Sequence, residues 1–268
     1  MLHAMSNASG ELAAPSAGSA RAVRDVVPPH PVLSQYYRDV SGKRPFLREI
    51  FDATAGDYDR VERVLALGSG RWYRRRALKR GGLSSGARVL DVAMGTGLVA
   101  REAATLVGSA SLVLGVDPSM GMLCEARRTL NVSAVLGAGE ALPVADASFD
   151  FISMGYALRH LPDLGGTFAE FRRVLRPGGR VCILEITRPN GVIGRAALGA
   201  YFRGALPMLS RVIGTSAQTR DLWRYYWKTI DACVSPEVVL RSLRDAGFAD
   251  VRRFVELGVF SEYTGTAT

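Results

Sequence analysis

The stretch VLDVAMGTGLVAREAA, from Val89 to Ala104, reads as a buried strand, a glycine-rich turn and the start of a helix. Gly95, Gly97 and Ala100 fit the pattern G-x-G-x-x-G/A, and Asp117 follows Gly97 by twenty residues. In such a unit the glycines let the backbone approach a ligand, and the acid accepts hydrogen bonds from ribose hydroxyls. The stretch therefore predicts a nucleoside-type site at the end of a first strand.

Apolar runs and helical patterns alternate on both sides of this turn. The predicted strands are ARVLDVA, SLVLGVD, SAVLGAG, FDFISMG and RVCILEI, followed later by ADVRRFVEL and GVFSEYTG. Continuous apolar strands separated by helices indicate a parallel sheet covered on both faces. The sequence thus predicts an α/β fold, Rossmann-like, with a mostly parallel seven-stranded sheet and a final antiparallel strand.

The rest of the chain divides by composition. Residues 1–28 are rich in Ala, Ser and Gly and predict a flexible tail. Residues 29–85 predict a helical cap, and residues 86–268 predict the α/β core. A mostly helical insertion, at about 190–232, precedes the last helix of the core.

Charge and composition limit the class of protein. The 268 residues carry 34 Lys and Arg against 25 Asp and Glu, a net charge of +9 that fits either an anionic partner or a solvated basic surface. Scattered cysteines and histidines predict reduced thiols and no metal site. Arg203, Pro207 and Arg211 interrupt the most apolar late stretch, so no membrane span is expected, and no secretory signal is evident. These features predict a cytoplasmic protein.

Asp91 distinguishes two ligands that share the glycine pattern. A carboxylate four residues before Gly95 would repel a pyrophosphate but would attract the ammonium group of S-adenosylmethionine. The sequence therefore favours a methyltransferase over a nicotinamide-dependent dehydrogenase, which stays an alternative. Asp91 could instead cap a turn, and Asp117 could serve at a helix N-terminus.

Several blocks of the sequence resemble the ubiquinone/menaquinone biosynthesis C-methyltransferase family. They are FDATAGDYDRV, VLDVAMGTG, GVDPSMGML, GAGEALPVADASFD, YALRH, RVLRPGGRVCILEITRP and AGFADV, from about Phe51 to Gly265. The resemblance implies a class I methyltransferase that uses S-adenosylmethionine. It implies that the cofactor is held by Tyr58, Asp91, Ala93, Gly95, Thr96, Gly97, Asp117, Pro118, Ala138, Gly139 and Gly155. The family usually has Asp or Asn where this chain has Ala138.

The segment after the fourth strand supplies the candidate catalytic residues. In the resembled family the arginine corresponding to Arg159 faces the substrate, where it would bind a developing phenolate or position a water. His160 replaces the family's asparagine and would suit a general base. Pairing of Arg159 with Asp163 on a helix is the alternative. Substrate contacts are expected at Tyr156, Glu185, Trp223, Tyr226 and Tyr263.

Differences from the family leave the acceptor open. The chain has Glu62 for an asparagine, Tyr263 for a histidine, and a run of aromatic residues, WRYYWKTI, that either stacks on a ligand or forms core. The first choice of acceptor is a ring carbon of a phenolic or quinol-type molecule. The alternative is N- or O-methylation of a phospholipid amine or specialised metabolite.

The expected partners are a small-molecule or lipid-like substrate and no nucleic acid, since the segment SMGYALRH lacks the N/D-P-P-Y/F of base-directed enzymes. A non-catalytic scaffold is the remaining alternative. The basic run GRWYRRRALKR, residues 70–80, predicts a peripheral contact with the inner face of an anionic membrane or a solvated helix face. A homodimer is left open.

Overall fold

The structure is a computed structural model that describes residues 26–65, 69–212 and 214–268. Its strands are β1 Val89–Val92, β2 Val113–Asp117, β3 Ser133–Leu136, β4 Phe149–Gly155, β5 Leu175–Ile186, β6 Phe248–Glu256 and β7 Phe260–Ala267. They form one seven-stranded sheet in the order β3-β2-β1-β4-β5-β7-β6. The first five strands are mutually parallel, and β7 runs antiparallel to both β5 and β6. The predicted mostly parallel, Rossmann-like sheet is confirmed.

Helices cover both faces of the sheet and one of its edges. They are α1 Val40–Leu65, α2 Gly70–Arg80, α3 Leu98–Val107, α4 Met120–Thr129, α5 Leu164–Val174, α6 Val192–Ala200, α7 Leu206–Val212, α8 Ala217–Ala232 and α9 Pro236–Asp245. A π-helical turn, Tyr201–Ala205, joins α6 to α7 without a break in the helix. Among the described residues, no helix is both long enough and apolar enough to cross a membrane.

Alternation along the central strands builds two cores. Leu90 and Val92 of β1 pack on the face covered by α5 and α9, whereas Val89 packs on the face covered by α2 and α3. All four residues of β1 are buried because strands flank it and helices cover both of its faces. The residue that follows this strand, Ala93, has a positive φ of 54° and begins the turn toward the ligand side.

A third core lies between α1 and α8. Tyr37, Phe202 and the aromatic residues of α8 form it, with Phe46 and Phe51 of α1 packed against them. Most of the aromatic run in WRYYWKTI is therefore core, since Trp223 is 3% exposed, Tyr225 0% and Trp227 6%.

Two features differ from the sequence-based expectations. β5 begins at Leu175, before the Pro-Gly-Gly turn, because Leu175 pairs with Phe149; the register then shifts so that Phe151 pairs with Arg180, and the extra residues form an irregularity in β5. Residues 1–25 of the predicted tail lie outside the described residues, but Val27 within it donates a backbone hydrogen bond to Asp163 at 2.7 Å and packs against the core. The division into tail, cap and core stays a prediction.

Candidate active site

A cavity opens at the carboxyl ends of β1, β2 and β4, where open α/β sheets place their ligands. The glycine-rich turn forms its floor, and the loops after β2, β3 and β4 form its walls. Helix α1 and Tyr226 of α8 close it from above. Of the predicted cofactor residues, those that line the cavity are Tyr58, Asp91, Ala93, Gly95, Thr96, Asp117, Pro118, Ala138, Gly139 and Gly155.

The two glycines of the turn have different physical roles. Both adopt positive φ, 57° at Gly95 and 85° at Gly97, which glycine adopts at little cost. A Cβ on Gly95 would meet nothing within 4 Å, so this glycine leaves space on the ligand side. A Cβ on Gly97 would lie 2.1 Å from Leu130 Cδ1, and Gly97 is not part of the cavity lining. Gly97 therefore packs against Leu130, and its contact with the cofactor stays a prediction.

Asp91 offers a free carboxylate oxygen to the cavity. The residue is fully buried, and Ser153 Oγ donates to its Oδ1 at 2.6 Å, while Oδ2 has no hydrogen-bond partner. Burial raises the pKa of Asp91 to about 7. An unpartnered, buried oxygen of this kind fits the ammonium group of an amino-acid ligand.

Asp117 holds the turn together from the end of β2. Its Oδ2 accepts the backbone N–H of Gly95 at 2.8 Å, and its Oδ1 accepts that of Ser119 at 2.8 Å. Burial raises the pKa of Asp117 to about 6. Each oxygen keeps a second lone pair, so the same carboxylate can also accept from ribose hydroxyls. Asp117 can therefore bind the ribose, as predicted, and also accept from the local backbone, which was the alternative role.

Three aspartates of α1 fasten this helix over the site, which the sequence analysis did not identify. Asp52 accepts from Ser119 Oγ and from the backbone N–H of Gly121 at 2.8 Å. Asp57 accepts from the backbone N–H of Ser216, at the start of α8, at 2.9 Å. Asp59 accepts from the hydroxyl of Thr96. These bonds give a structural reason for the three acids of the block FDATAGDYDRV, each of which bonds to a different neighbouring segment.

The far end of the cavity is apolar with a few polar groups. His160 and Tyr156 lie there, and Tyr226 Oη is 3.3 Å from Tyr58 Oη. Burial and the nearby Arg159 lower the pKa of His160 well below its usual value, so its ring is neutral. His160 Nδ1 lies 3.4 Å from Tyr225 Oη, and its buried Nε2 has no partner.

Lys43 of α1 also lines this end and was not predicted. Its side chain is buried, and Nζ donates to the carbonyl oxygens of Leu161 at 2.8 Å and Arg159 at 3.4 Å. Burial lowers its pKa to about 8. Lys43 lies eight residues before Phe51 on the same helix, which in the sequence is only a weak signal of a site residue. Only the tertiary fold shows that Lys43 is buried.

Arg159 sits behind the cavity lining and not in it. Its guanidinium forms a buried ion pair with Glu185 and lies 4.6 Å from the ring centroid of Tyr226. The alternative pairing with Asp163 is not found, because that carboxylate caps α5 by accepting from Gly165 and Gly166. Arg159 therefore reaches the cavity only through neighbours such as Tyr226 and His160.

The remaining predicted substrate residues lie elsewhere. Glu185 is 1% exposed and pairs with Arg159. Trp223 is in the third core, with Nε1 donating to Ser210 Oγ at 2.8 Å, and Tyr263 of β7 is in the core beside α9. None of these three residues lines the cavity. Direct substrate contact by them is not supported, since core packing decides where their side chains lie.

The basic helix α2 pairs most of its cations with carboxylates of the protein. Arg74 is buried and bonds Glu62, which explains the acidic residue at that position. Arg71 and Arg75 both pair with the buried Glu102, and Arg80 pairs with Glu256. Carboxylates of the protein itself thus bind four of the six cations that predicted a membrane surface.

The unpartnered Asp91 oxygen predicts a pH dependence of ligand binding. Because burial holds the pKa of Asp91 at about 7, most of the free protein has this carboxyl protonated at pH 6. S-adenosylhomocysteine needs the ionised form for its ammonium, so its affinity should fall up to about tenfold per pH unit below 7. Calorimetric titration checks this, with 5′-methylthioadenosine, which lacks the amino-acid end, as the control ligand. Equal slopes for the two ligands would contradict the assignment.

Comparison with known proteins agrees with this geometry. The sequence model of the ubiE/COQ5 methyltransferase family matches residues 38–266. The ubiquinone/menaquinone biosynthesis C-methyltransferase of Hahella chejuensis is 31% identical over 234 residues, covering 84% of this chain and 93% of that protein. The demethylmenaquinone methyltransferase of Mycobacterium sp. (strain KMS) is 34% identical over 203 residues, covering 76% of this chain and 85% of that protein.

A solved structure supports the fold alone. An S-adenosylmethionine-dependent methyltransferase of Thermotoga maritima superposes with a TM-score of 0.59 at 21% identity, covering 83% of this chain and 100% of that chain. The fold, the cavity at the strand ends and the match over most of the sequence lead to one assignment. The chain belongs to the ubiE/COQ5 methyltransferase family and is an S-adenosylmethionine-dependent methyltransferase.

Proposed function

We propose that this enzyme methylates a ring carbon of a hydrophobic quinol. Relatives at about this identity are named for methylation in ubiquinone and menaquinone biosynthesis. The observation that supports the proposal most directly in this chain is Lys43, a buried cation that lies with the neutral His160 at the mostly apolar end of the cavity. The cytoplasmic location and a homodimer stay predictions. All three cysteines are unpaired, as expected for a protein in a reducing compartment.

The cofactor end of the cavity fits S-adenosylmethionine. Asp91 Oδ2 would receive the ammonium group, Asp117 the ribose hydroxyls, and the backbone around Ala138 and Gly139 the adenine. Ala138 and Ala141 form an isolated β-bridge that shapes that loop. The backbone of the loop would compensate for the acidic side chain that the family usually has at the position of Ala138. When bound, the cofactor would supply an electrophilic methyl group. Gly155 in the cavity lining allows close packing against Val99, because a Cβ there would lie 2.6 Å from Val99 Cγ2.

The acceptor end fits a ring that carries a hydrocarbon tail. Apolar side chains from α1 and from the loop after β4 line it, namely Val40, Leu47, Phe51, Ala157, Leu161 and Pro162. Such a lining favours a planar apolar acceptor and excludes water from the reacting atoms.

The charges of this end favour an acceptor that becomes anionic. Lys43 makes no salt bridge with any described residue, and its hydrogen bonds go to carbonyl groups. Arg159 is neutralised by Glu185, so Lys43 is left as a buried cation without a carboxylate partner among the described residues. An uncompensated buried cation is costly unless a ligand balances it, and a quinol losing its hydroxyl proton does so. An acceptor that arrives as an ammonium ion would be repelled here, which disfavours the phospholipid-amine alternative.

The residues present can manage the protons of carbon methylation. The neutral His160 can accept a hydrogen bond from the quinol hydroxyl at Nε2 while its Nδ1–H donates to Tyr225 Oη. The hydroxyl proton would pass to His160 Nε2, which would make the neighbouring ring carbon nucleophilic toward the methyl group that the bound cofactor would supply. The ring carbon would then lose its hydrogen as a proton to solvent, which restores the aromatic ring, and the ring oxygen would take back the proton held by His160. Lys43 stabilises the negative charge that develops on the oxygen.

A transfer assay tests the proposed function. The enzyme would be incubated with isotope-labelled methyl donor and a short-chain demethylmenaquinol, the same compound as the oxidised quinone, or phosphatidylethanolamine. Label on the ring carbon of the quinol alone is expected, because the oxidised ring is electron-poor. Label on the lipid amine, or equal labelling of quinol and quinone, would overturn the proposal.

Replacing Lys43 with glutamine should reduce kcat/KM for the quinol by about 10²-fold, as for loss of one transition-state donor. Glutamine keeps hydrogen-bond donors but removes the charge, so affinity for S-adenosylhomocysteine should be unchanged. Lys43→Arg should retain more activity, and Arg38→Gln, an exposed change before the same helix, is the control. Full activity of Lys43→Gln would show that the cation is structural.

A further inference from the structure

The helix that runs through α6, the π-helical turn and α7 presents an apolar surface to solvent. The most exposed large side chains on it are Val192 at 85%, Ile193 at 86%, Met208 at 72% and Val212 at 75%. Single exposed apolar residues are normal, but here they share one helical insertion.

The exposed residues follow a helical stripe. Steps of four residues connect Val192, Ala196, Ala200, Gly204, Met208 and Val212, and every one of them is exposed. Residues four apart are neighbours on a helix surface, so the stripe is a continuous row that winds slowly around the helix over about 30 Å. We call these residues the apolar stripe. The opposite side of the helix faces the protein, with Phe202, Leu206 and Ser210 buried.

The charge beside the apolar stripe has one sign. Arg195, Arg203 and Arg211 are exposed on the same helix, and residues 191–220 contain no aspartate or glutamate. Asp231 of α8 pairs with Arg195, and no carboxylate among the described residues pairs with Arg203 or Arg211. An apolar stripe flanked by arginines is the pattern of helices that lie in the interface of an anionic bilayer.

We propose that the apolar stripe docks on the surface of an anionic phospholipid bilayer. The helix would lie along the membrane plane with its apolar side chains among the acyl boundary and its arginines at the headgroups. A second copy of the chain fits less well, because a twofold contact through the same stripe would place arginines opposite arginines. In this proposal the apolar stripe, and not α2, docks on the membrane, because most cations of α2 pair with carboxylates of the protein.

Vesicle co-sedimentation of the full-length enzyme, without methyl donor or acceptor, tests this inference separately from the proposed reaction. Vesicles of phosphatidylglycerol with phosphatidylcholine should bind the enzyme, and phosphatidylcholine alone should bind it more weakly. The variant Val192→Ser/Met208→Ser should bind at least about tenfold more weakly, because it removes apolar area from the stripe. Both positions are exposed, so thermal unfolding should stay unchanged.

Matched variants separate the other outcomes. Leu257→Ser removes an 81% exposed leucine on the β6–β7 turn and should bind like the wild type. Trp72→Ser, in α2, should also bind like the wild type. Wild-type binding by the double variant, or a loss confined to Trp72→Ser, would overturn the proposal. A wild-type dimer that the double variant converts to a monomer, with no vesicle binding by either, would identify a second copy as the occupant and also overturn it.

Discussion

Replacing Arg159 with alanine should slow methyl transfer by at least about 10²-fold while the affinity for S-adenosylhomocysteine stays unchanged. Arg159 does not line the cavity, but its guanidinium lies 4.6 Å from the ring centroid of Tyr226, which does. It also holds the pKa of His160 down, which keeps that ring neutral. Stopped assays with the quinol and calorimetric titration of S-adenosylhomocysteine measure the two quantities.

The alanine variant alone cannot separate chemistry from folding. Removing Arg159 leaves the carboxylate of Glu185 buried without a cation, which costs about 3–5 kcal/mol of stability in comparable pairs. The double variant Arg159→Met/Glu185→Gln removes both charges and should recover most of that stability. If the double variant also recovers turnover, Arg159 serves only to neutralise Glu185. If turnover stays low in a stable protein, Arg159 acts on the reaction through its neighbours.

The sheet and the glycine-rich turn could be predicted because their signals are local. Apolar runs such as FDFISMG coincide with a strand end for end, and positive φ at Gly95 and Gly97 follows from the spacing alone. Only the start of β5 was missed, because a Pro-Gly-Gly sequence predicts a turn whether or not pairing continues through it.

The acceptor end could not be predicted with the same success because burial is a tertiary property. Four aromatic residues at helical spacing in α8 look alike in the sequence, yet only Tyr226 reaches the cavity. Arg159 was expected to face the substrate, and its pairing with Glu185, 26 positions later, places it behind Tyr226. Lys43 looked like one basic residue among 34, and only packing against the loop after β4 reveals it as a buried cation.

The same reasoning applies to the basic helix. Composition located six cations in residues 70–80 but not the acids that meet them, since Glu102 and Glu256 lie on α3 and β6. Charge counting therefore overestimates the free positive surface of α2. It overlooks α6 and α7, where few charges and a continuous exposed apolar side occur together.

Replacing Asp117 with alanine should abolish measurable cofactor binding, a loss of at least about 10²-fold, because charge-assisted hydrogen bonds to two ribose hydroxyls contribute about 1.5–3 kcal/mol each. The carboxylate also accepts from the backbone of Gly95 and Ser119, so its loss would loosen the turn as well. Affinity for S-adenosylhomocysteine and 5′-methylthioadenosine, measured well below the unfolding temperature of the variant, checks this.

Two ligands and two variants together distinguish the roles of the acids. Both ligands carry the ribose, so Asp117→Ala should weaken both of them. Only S-adenosylhomocysteine carries the ammonium group, so Asp91→Asn should weaken that ligand and leave 5′-methylthioadenosine unaffected. If Asp117→Ala binds either ligand normally, the ribose does not lie at the end of β2. If Asp91→Asn weakens both ligands equally, Asp91 supports the turn and does not bind the amino-acid end, and the cofactor would have to lie differently in the cavity.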